Sequence, residues 1–422
     1  MIPAPRSKSR AFWSRAMVSN GADSGTTRGL QVTFHPDSPN KTIVLLSFAA
    51  FASAASMRVM DALLVRLSVE YGVGLASASN TVTVFAILYG VLQLVLGPLG
   101  DRHGKLRVIA AACGASAVSS LACALAPSFD ALLLARAAMG ACCACIIPLA
   151  MAWVGDTTPY ETRQGVLARF LLGQIIGLSA GAALGGFAAE SGWWQWPFAA
   201  LAAWFLVVGA LIARSAWRPP AGAHGAGGHL VANLLEVLRT PGVARVVTTV
   251  FLEGVVLLGG LAFVATHLYQ ARGASMPVAG AMFFAVSAGG VVFAFFARRI
   301  VPVLGEARLA AAGTAVIVLS VLGIAWAPSL AAAPLTCFGA GLGFYMLHNT
   351  LQTNATQMAP MRRGTAVALF ASIFFLGQSV GVAVAGRLAE GIGTSWTLTI
   401  SALAMLPVGM GFALLRARRP GE

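Results

Sequence analysis

Charge is scarce in this sequence. Asp, Glu, Lys and Arg make up 10% of its 422 residues, against 58% hydrophobic residues. A soluble globular domain carries roughly 25% charged residues. The shortage excludes a chain that keeps a water-facing surface along its whole length, and a mean hydropathy of +0.80 makes lipid its solvent. Acids are scarcer still, 14 against 28 Lys and Arg, for a net charge of +14. An excess of that size raises nucleic acid as a partner. The cations, however, sit in short clusters between apolar runs, which is how membrane topology arranges them, so no nucleic acid partner is expected. Cysteine is sparse, and Cys113, Cys123, Cys142, Cys143, Cys145 and Cys337 all lie inside apolar runs, which excludes an exposed disulfide framework. The neighbours Cys142, Cys143 and Cys145 raise a metal site. Yet successive residues on a helix point about 100° apart, and no His accompanies the three. They read as small packing residues, and no metal or other cofactor is expected. No convergent set of His, Ser and Asp stands out, so a membrane-embedded enzyme is not expected either. Residues 1–41 lack an apolar core, so no cleaved signal peptide is expected. Rich in Ser, Gly, Pro and Arg, they read as a disordered basic tail.

What the chain does have is apolar runs of roughly 20 residues, each enough to cross a bilayer as a helix. The predicted spans are 42–66, 79–99, 107–126, 131–154, 165–189 and 197–213, then 245–269, 278–297, 309–327, 332–353, 364–388 and 396–415. Between the two sets, 214–244 holds Pro219-Pro220, a run of Ala, Gly and His, and a short amphipathic piece, Leu230–Leu238. It reads as a linker. The organisation expected is therefore a tail (1–41), a six-helix bundle (42–213), a cytoplasmic linker (214–244), a second six-helix bundle (245–416) and a short tail (417–422). The cation-rich segments all fall on one side of this arrangement, and the other side receives only Arg66, Arg272 and Arg387. That asymmetry puts both termini in the cytoplasm.

The turn between spans 2 and 3 reads Gly97-Pro98-Leu99-Gly100-Asp101-Arg102-His103-Gly104-Lys105-Leu106-Arg107. Its charges cannot sit in hydrocarbon. Its glycines and proline turn the backbone sharply. A worn echo, Gly305-Glu306-Ala307-Arg308, stands between spans 8 and 9 without the acid of the first turn. Spans 5 and 11 repeat as well: Leu172-Gly173-Gln174 with Gly177, and Leu376-Gly377-Gln378 with Gly381. The turn resembles the loop between helices 2 and 3 of the major facilitator superfamily of transporters, and the resemblance extends over about 42–416. It implies an all-α, polytopic fold of two six-helix bundles related by pseudo-two-fold symmetry. It makes Gly97, Asp101, Arg102, Gly104, Lys105, Arg107 and Asp156 a cytoplasmic gate. It further implies that Asp101 meets the start of span 11, near Arg363 and Gly364, in the outward-facing state. The alternative is that Asp101 merely caps span 3. Gly177, Gly181, Gly185 and Gly186 resemble the superfamily's antiporter motif, with Ala182 where that motif has proline. Ordinary small-residue packing explains the same glycines.

Two acids lie well inside apolar runs. Glu253 is eight residues past Arg245, about 12 Å into the membrane at 1.5 Å per residue, near the midplane. Asp61 falls near the outer rim, one turn after Arg58, which can pair with it. A carboxyl taken out of water favours its neutral form and can pick up and release a proton. Glu253 is therefore the expected proton carrier, and Asp61 half of an ion pair. Arg136 resembles the superfamily's helix-4 arginine, linked to proton transfer; a structural arginine reaching to the outer rim is the alternative. Gln93, Gln174, Tyr345, His348, Asn349, Gln352 and Gln378 are the polar side chains available to line a cavity. The expected function is secondary active transport of a small amphipathic compound or sugar, by proton-coupled efflux and alternating access, from a monomer in the inner membrane. Metabolite uptake by the same fold, or a sensor that moves nothing, are the alternatives.

Overall fold

The computed structural model describes residues 39–215 and 230–417. Every regular element among them is helical. Span 1 is α1 (Pro39–Arg58) and α2 (Leu64–Tyr71); spans 2 and 3 are α3 (Leu75–His103) and α4 (Lys105–Ala124). Span 4 is α5 (Phe129–Cys143) and α6 (Ile146–Thr157), and spans 5 and 6 are α7 (Tyr160–Ala189) and α8 (Trp196–Ser215). The amphipathic piece of the linker is α9 (Leu230–Arg239). Span 7 is α10 (Val243–Glu253), a π-helical turn (Gly254–Leu258), α11 (Gly259–Leu261) and α12 (Val264–Arg272). Then come α13 (Met276–Trp326), α14 (Ala333–Gln357), α15 (Arg363–Ile392) and α16 (Thr394–Ala417). Most of the predicted tails, and 216–229 of the linker, lie outside the described residues.

Eleven helical segments among the described residues are long and apolar enough to cross a membrane. One of them, α13, is 51 residues long, about 76 Å at 1.5 Å per residue, against roughly 30 Å of hydrocarbon. Within it Gly305 has φ 68° and ψ 167°. Phe293 and Leu309, from either side of Gly305, share one buried cluster. The chain therefore turns back at Gly305, and α13 supplies both span 8 and span 9. Gly104, between α3 and α4, does the same for spans 2 and 3 at φ 91° and ψ 123°. Only glycine adopts such angles cheaply, and the two glycines stand at the matching turns of the two halves.

Three spans depart from the continuous helices predicted. Span 1 breaks at residues 59–63, where Asp61 N–H bonds back only to the Arg58 carbonyl and Leu63 N–H to that of Met60. Span 4 breaks at Ala144-Cys145. Pro148 explains it: a proline has no N–H to return to the carbonyl four residues earlier, which is that of Ala144. Span 7 widens into its π turn directly after Glu253, with Gly254, Gly259 and Gly260 around it.

Small residues bring the helices together. Gly173, Gly177, Gly181 and Gly185 of α7 lie against the backbone of span 1 at Ser47, Phe51, Ala55 and Val59. Gly377 and Gly381 of α15 lie in the same way against Phe251 and Val255 of span 7. A Cβ at any of these positions would run into main-chain atoms. One buried core draws mainly on α1–α8 and a second mainly on α10–α16. The two interleave: Phe263, Met276 and Val382 join the first, Ala62 and Ala182 the second. Val237 of α9 packs with Ala359, Ala366 and Leu369, a cluster that Leu94 of α3 also joins.

Candidate functional site

Glu253 ends α10, immediately before the π turn, and is fully buried. Its Oε2 lies 2.9 Å from His348 Nδ1, from span 10. Its Oε1 is buried with no hydrogen-bond partner. Three aromatic rings surround the imidazole: Phe344 stacks at 4.9 Å between centroids, Phe374 lies at 4.6 Å and Phe370 at 5.4 Å. The site thus joins spans 7, 10 and 11. The π turn matters to its geometry, because Gly254 lets span 7 press against the Phe374 carbonyl and Gly377 of span 11. Such turns interrupt the helical ladder and often mark functional positions. An imidazole and a carboxyl at this distance can share one proton, and the apolar rings keep water from competing for it.

A second buried charged group lies in the first half. Arg58 Nη1 is 2.8 Å from Asp61 Oδ2, and Asp61 is fully buried with Oδ1 unpartnered. The Arg58 guanidinium also sits 5.1 Å over the ring of Phe283, from span 8. The ion pair read from the sequence is present, at the point where span 1 breaks. Arg136 is fully buried rather than reaching toward a rim. Its Nη1 donates to the Ser56 carbonyl at 3.0 Å, its Nε to the Thr81 carbonyl at 3.2 Å, and its guanidinium covers the Phe85 ring at 4.4 Å. The Ser56 carbonyl, in the last turn of α1 where span 1 begins to break, the Thr81 carbonyl of α3 and the aromatic face supply the sites that a rim would otherwise have given it.

At the turn between spans 2 and 3, Lys105 Nζ lies 2.8 Å from Asp101 Oδ1 and 2.9 Å from Asp156 Oδ2. This cation, not Arg102, ties the end of span 2 to the end of span 4. Among the described residues Asp101 takes Lys105 as its ion-pair partner and makes no ion pair with Arg363. Gly100 permits the approach, since a Cβ there would meet the Leu149 side chain at 2.5 Å. Arg102 and Arg107 are exposed beside it. The echo in the second half is a clasp of inverted sign. Glu306 occupies the position of Lys105, 2.8 Å from Arg416 Nε and 3.0 Å from Asn354 Nδ2. The sequence showed the glycine of this turn but not the partners, which come from spans 10 and 12.

The predicted cavity residues are less uniform. Gln378 is buried, and Gln174, Tyr345 and Asn349 are half-buried. Gln93 is half-buried, with Oε1 shut away from any partner. Gln352 is exposed. The antiporter-like stripe does two jobs: Gly177, Gly181 and Gly185 face span 1, while Gly186 and Ala182 meet Met276 and Gly280 of span 8. Phe344, Phe370 and Phe374 went unremarked in the sequence. Their four-residue spacing with His348 and with one another was the available signal.

A helical bundle of this length, with paired glycine turns and dry charged groups inside it, defines a polytopic membrane transporter. The profile of the Major Facilitator Superfamily matches residues 46–382, and the chain belongs to that family. It is 24% identical over 362 residues to the uncharacterized MFS-type transporter YceJ of Bacillus subtilis, covering 82% of this chain and 90% of that one. It is 26% identical over 161 residues to the multidrug export protein EmrB of Haemophilus influenzae, covering 37% of this chain and 31% of that one. Among solved structures it resembles the nucleoside transporter NupG (TM-score 0.72, 14% identity, 91% of this chain and 100% of that one). It also resembles a D-xylose–proton symporter (TM-score 0.67, 15% identity, 87% and 96%).

Proposed function

We propose that this transporter exports a small amphipathic compound or sugar in exchange for protons, by alternating access between two six-helix bundles related by pseudo-two-fold symmetry. The bundles comprise about 42–213 and 245–416, and the chain works as a monomer in the inner membrane with both termini cytoplasmic. The observation that carries the reading is the buried Glu253–His348 pair beside the π turn of span 7. A carboxyl kept from water, with one oxygen on an imidazole and the other unpartnered, is a place to hold a proton that must not leak. The aromatic rings around it suit the apolar part of an amphipathic compound. Export, rather than uptake, is favoured by similarity to one relative named as a multidrug export protein and another named for multidrug resistance. Asp61, Arg58 and Arg136 form a second charged group through which span 1 responds to the coupling step. The Asp101–Lys105–Asp156 clasp holds the cytoplasmic rim.

Everted membrane vesicles with an acidic lumen and a pH-sensitive dye test this. Adding a transported compound from a panel of amphipathic molecules and sugars should drive protons out of the lumen and restore the quenched dye. Vesicles with Glu253→Gln should show no recovery. Deeper quenching on addition would indicate uptake with protons. No response to any compound, with the protein present, would count for a sensor and against transport.

A further inference from the structure

The two halves carry the same short pattern at the ends of spans 5 and 11, Gly186-Phe187-Ala188-Ala189-Glu190 and Gly386-Arg387-Leu388-Ala389-Glu390. The structure puts both copies to the same use. Glu190 Oε1 accepts from Met276 N–H at 2.7 Å, the first residue of α13. Glu390 Oε2 accepts from Ala76 N–H at 2.9 Å, in the first turn of α3. Each acid thus crosses from one half to cap a helix of the other. Neither helix has a side-chain cap of its own, for Gly74 before α3 and Ser275 before α13 make no such bond. The glycine four residues before each acid is what lets the helices meet: Gly186 lies against Met276 and Gly280, and Gly386 against Ala76 and Ser79. A helix start leaves its first N–H groups unsatisfied and carries partial positive charge, so a carboxylate there is held by both effects.

These contacts lie at the end of the bundle opposite the Asp101 clasp. From there the seam between spans 5 and 8 continues through Ser179, whose hydroxyl lies 2.5 Å from that of Ser287. Nearer the Asp101 end, Leu171 and Leu172 of α7 and Val291, Val292 and Phe295 of α13 are exposed. The seam between spans 2 and 11 also starts at the capped end and reaches Ser372, whose hydroxyl donates to the Gly90 carbonyl at 2.7 Å. On both seams the helices are therefore in contact at the capped end; on the second, contact runs on to Leu94, which packs with Ala366 and Leu369 nearer the Asp101 end.

We propose that Glu190 and Glu390 are paired latches that hold the outer face of the transporter shut, and that both must let go for it to open outward. The inference rests on the alternating-access reading above. Both carboxylates are exposed and can trade the helix N–H groups for water as the halves part. Losing such a cap shifts the balance by about fivefold per site. The two sites, on separate seams, act on the same motion.

Hydrogen–deuterium exchange of the full-length protein in lipid nanodiscs tests this, comparing wild type with Glu190→Ala, Glu390→Ala and Gly74→Ala. The last leaves both acids in place, but its methyl group would fall 2.5 Å from Glu390 Oε1 and displace the carboxylate. The expected result is faster exchange at the first turns of both α3 and α13 in every variant, by about fivefold, including the seam that was not mutated. The inner ends of α7 and α13 should gain protection. Faster exchange confined to the helix whose own cap was removed, or no change, would overturn the latch. Asp101→Asn is run alongside to separate the two ideas. If it moves protection in the opposite sense while the latch variants do nothing, alternating access stands and the latch falls. If no variant moves either end, both fall.

Discussion

Glu253 and Asp61 are both buried acids with a basic partner, yet their partners differ in kind. Asp61 has Arg58, whose charge is permanent, three residues away on the same stretch of chain. Glu253 has an imidazole that can gain or lose a proton, brought from a distant span. The first arrangement favours structure and the second favours switching. Removing one member of a buried ion pair strands the other without water or counter-charge, at a cost of about 3–5 kcal/mol. Asp61→Asn is therefore expected to lower thermal stability in detergent markedly. The double change Arg58→Met with Asp61→Leu should recover much of that loss. If the double variant melts lower than Asp61→Asn, Arg58–Asp61 does more than neutralise charge. Sequence reasoning found both acids, because depth along an apolar run can be counted at 1.5 Å per residue. It could not see that His348 meets Glu253, because which helix faces meet is not written in the spacing along one chain. Nor could it choose between the two readings of Arg136, whose Ser56 carbonyl partner comes from another helix, at the end of α1 where span 1 breaks.

Among the elements, the helix pairs of spans 1 and 5 and of spans 7 and 11 are built alike, each on glycines pressed into the partner's backbone. Overpacking such a contact costs about 1–3 kcal/mol and spreads the helices. Gly181→Val should thus reduce folded yield and melting temperature, whereas Gly165→Ala, inside α7 with open space around the site, should lower neither. Equal tolerance of the two would contradict the close packing. The turns at Gly104 and Gly305 make a second comparison. Alanine at either must adopt a backbone conformation that costs about 1–3 kcal/mol, and a thermal-shift assay should register the two losses as similar. An unchanged melting temperature for either variant would argue that its turn relaxes to another geometry. These turns were legible in sequence, since glycine beside charge marks both. The break in span 4 carried a signal too, in Pro148, and so did the π turn, in its glycines. The break at 59–63 carried none: Val59, Met60, Asp61, Ala62 and Leu63 read as ordinary helix, and an Arg58–Asp61 pair three residues apart suits a continuous helix as well.

For the whole molecule, paired turns, paired glycine stripes and paired carboxylate caps recur in both halves, while the charges placed on them diverge. Lys105 between two acids in the first half faces Glu306 between Arg416 and Asn354 in the second. Backbone geometry leaves little freedom to a turn, whereas an ion pair of either sign holds one equally well, so the glycines repeat and the charges do not. The proposed topology follows from the same distribution of cations and predicts where reporters will work. A periplasmic reporter joined after Gly192 should be active, and one joined after Gly305 inactive; the reverse would invert the orientation. The central claim is that a proton held at Glu253 couples two otherwise separable motions. The direct measurement uses purified protein in liposomes with one transported compound, and follows both exchange of labelled for unlabelled compound and uphill accumulation driven by an imposed pH gradient. The account predicts that Glu253→Gln retains exchange and loses accumulation. A Glu253→Gln protein that still accumulates the compound against its gradient would contradict it.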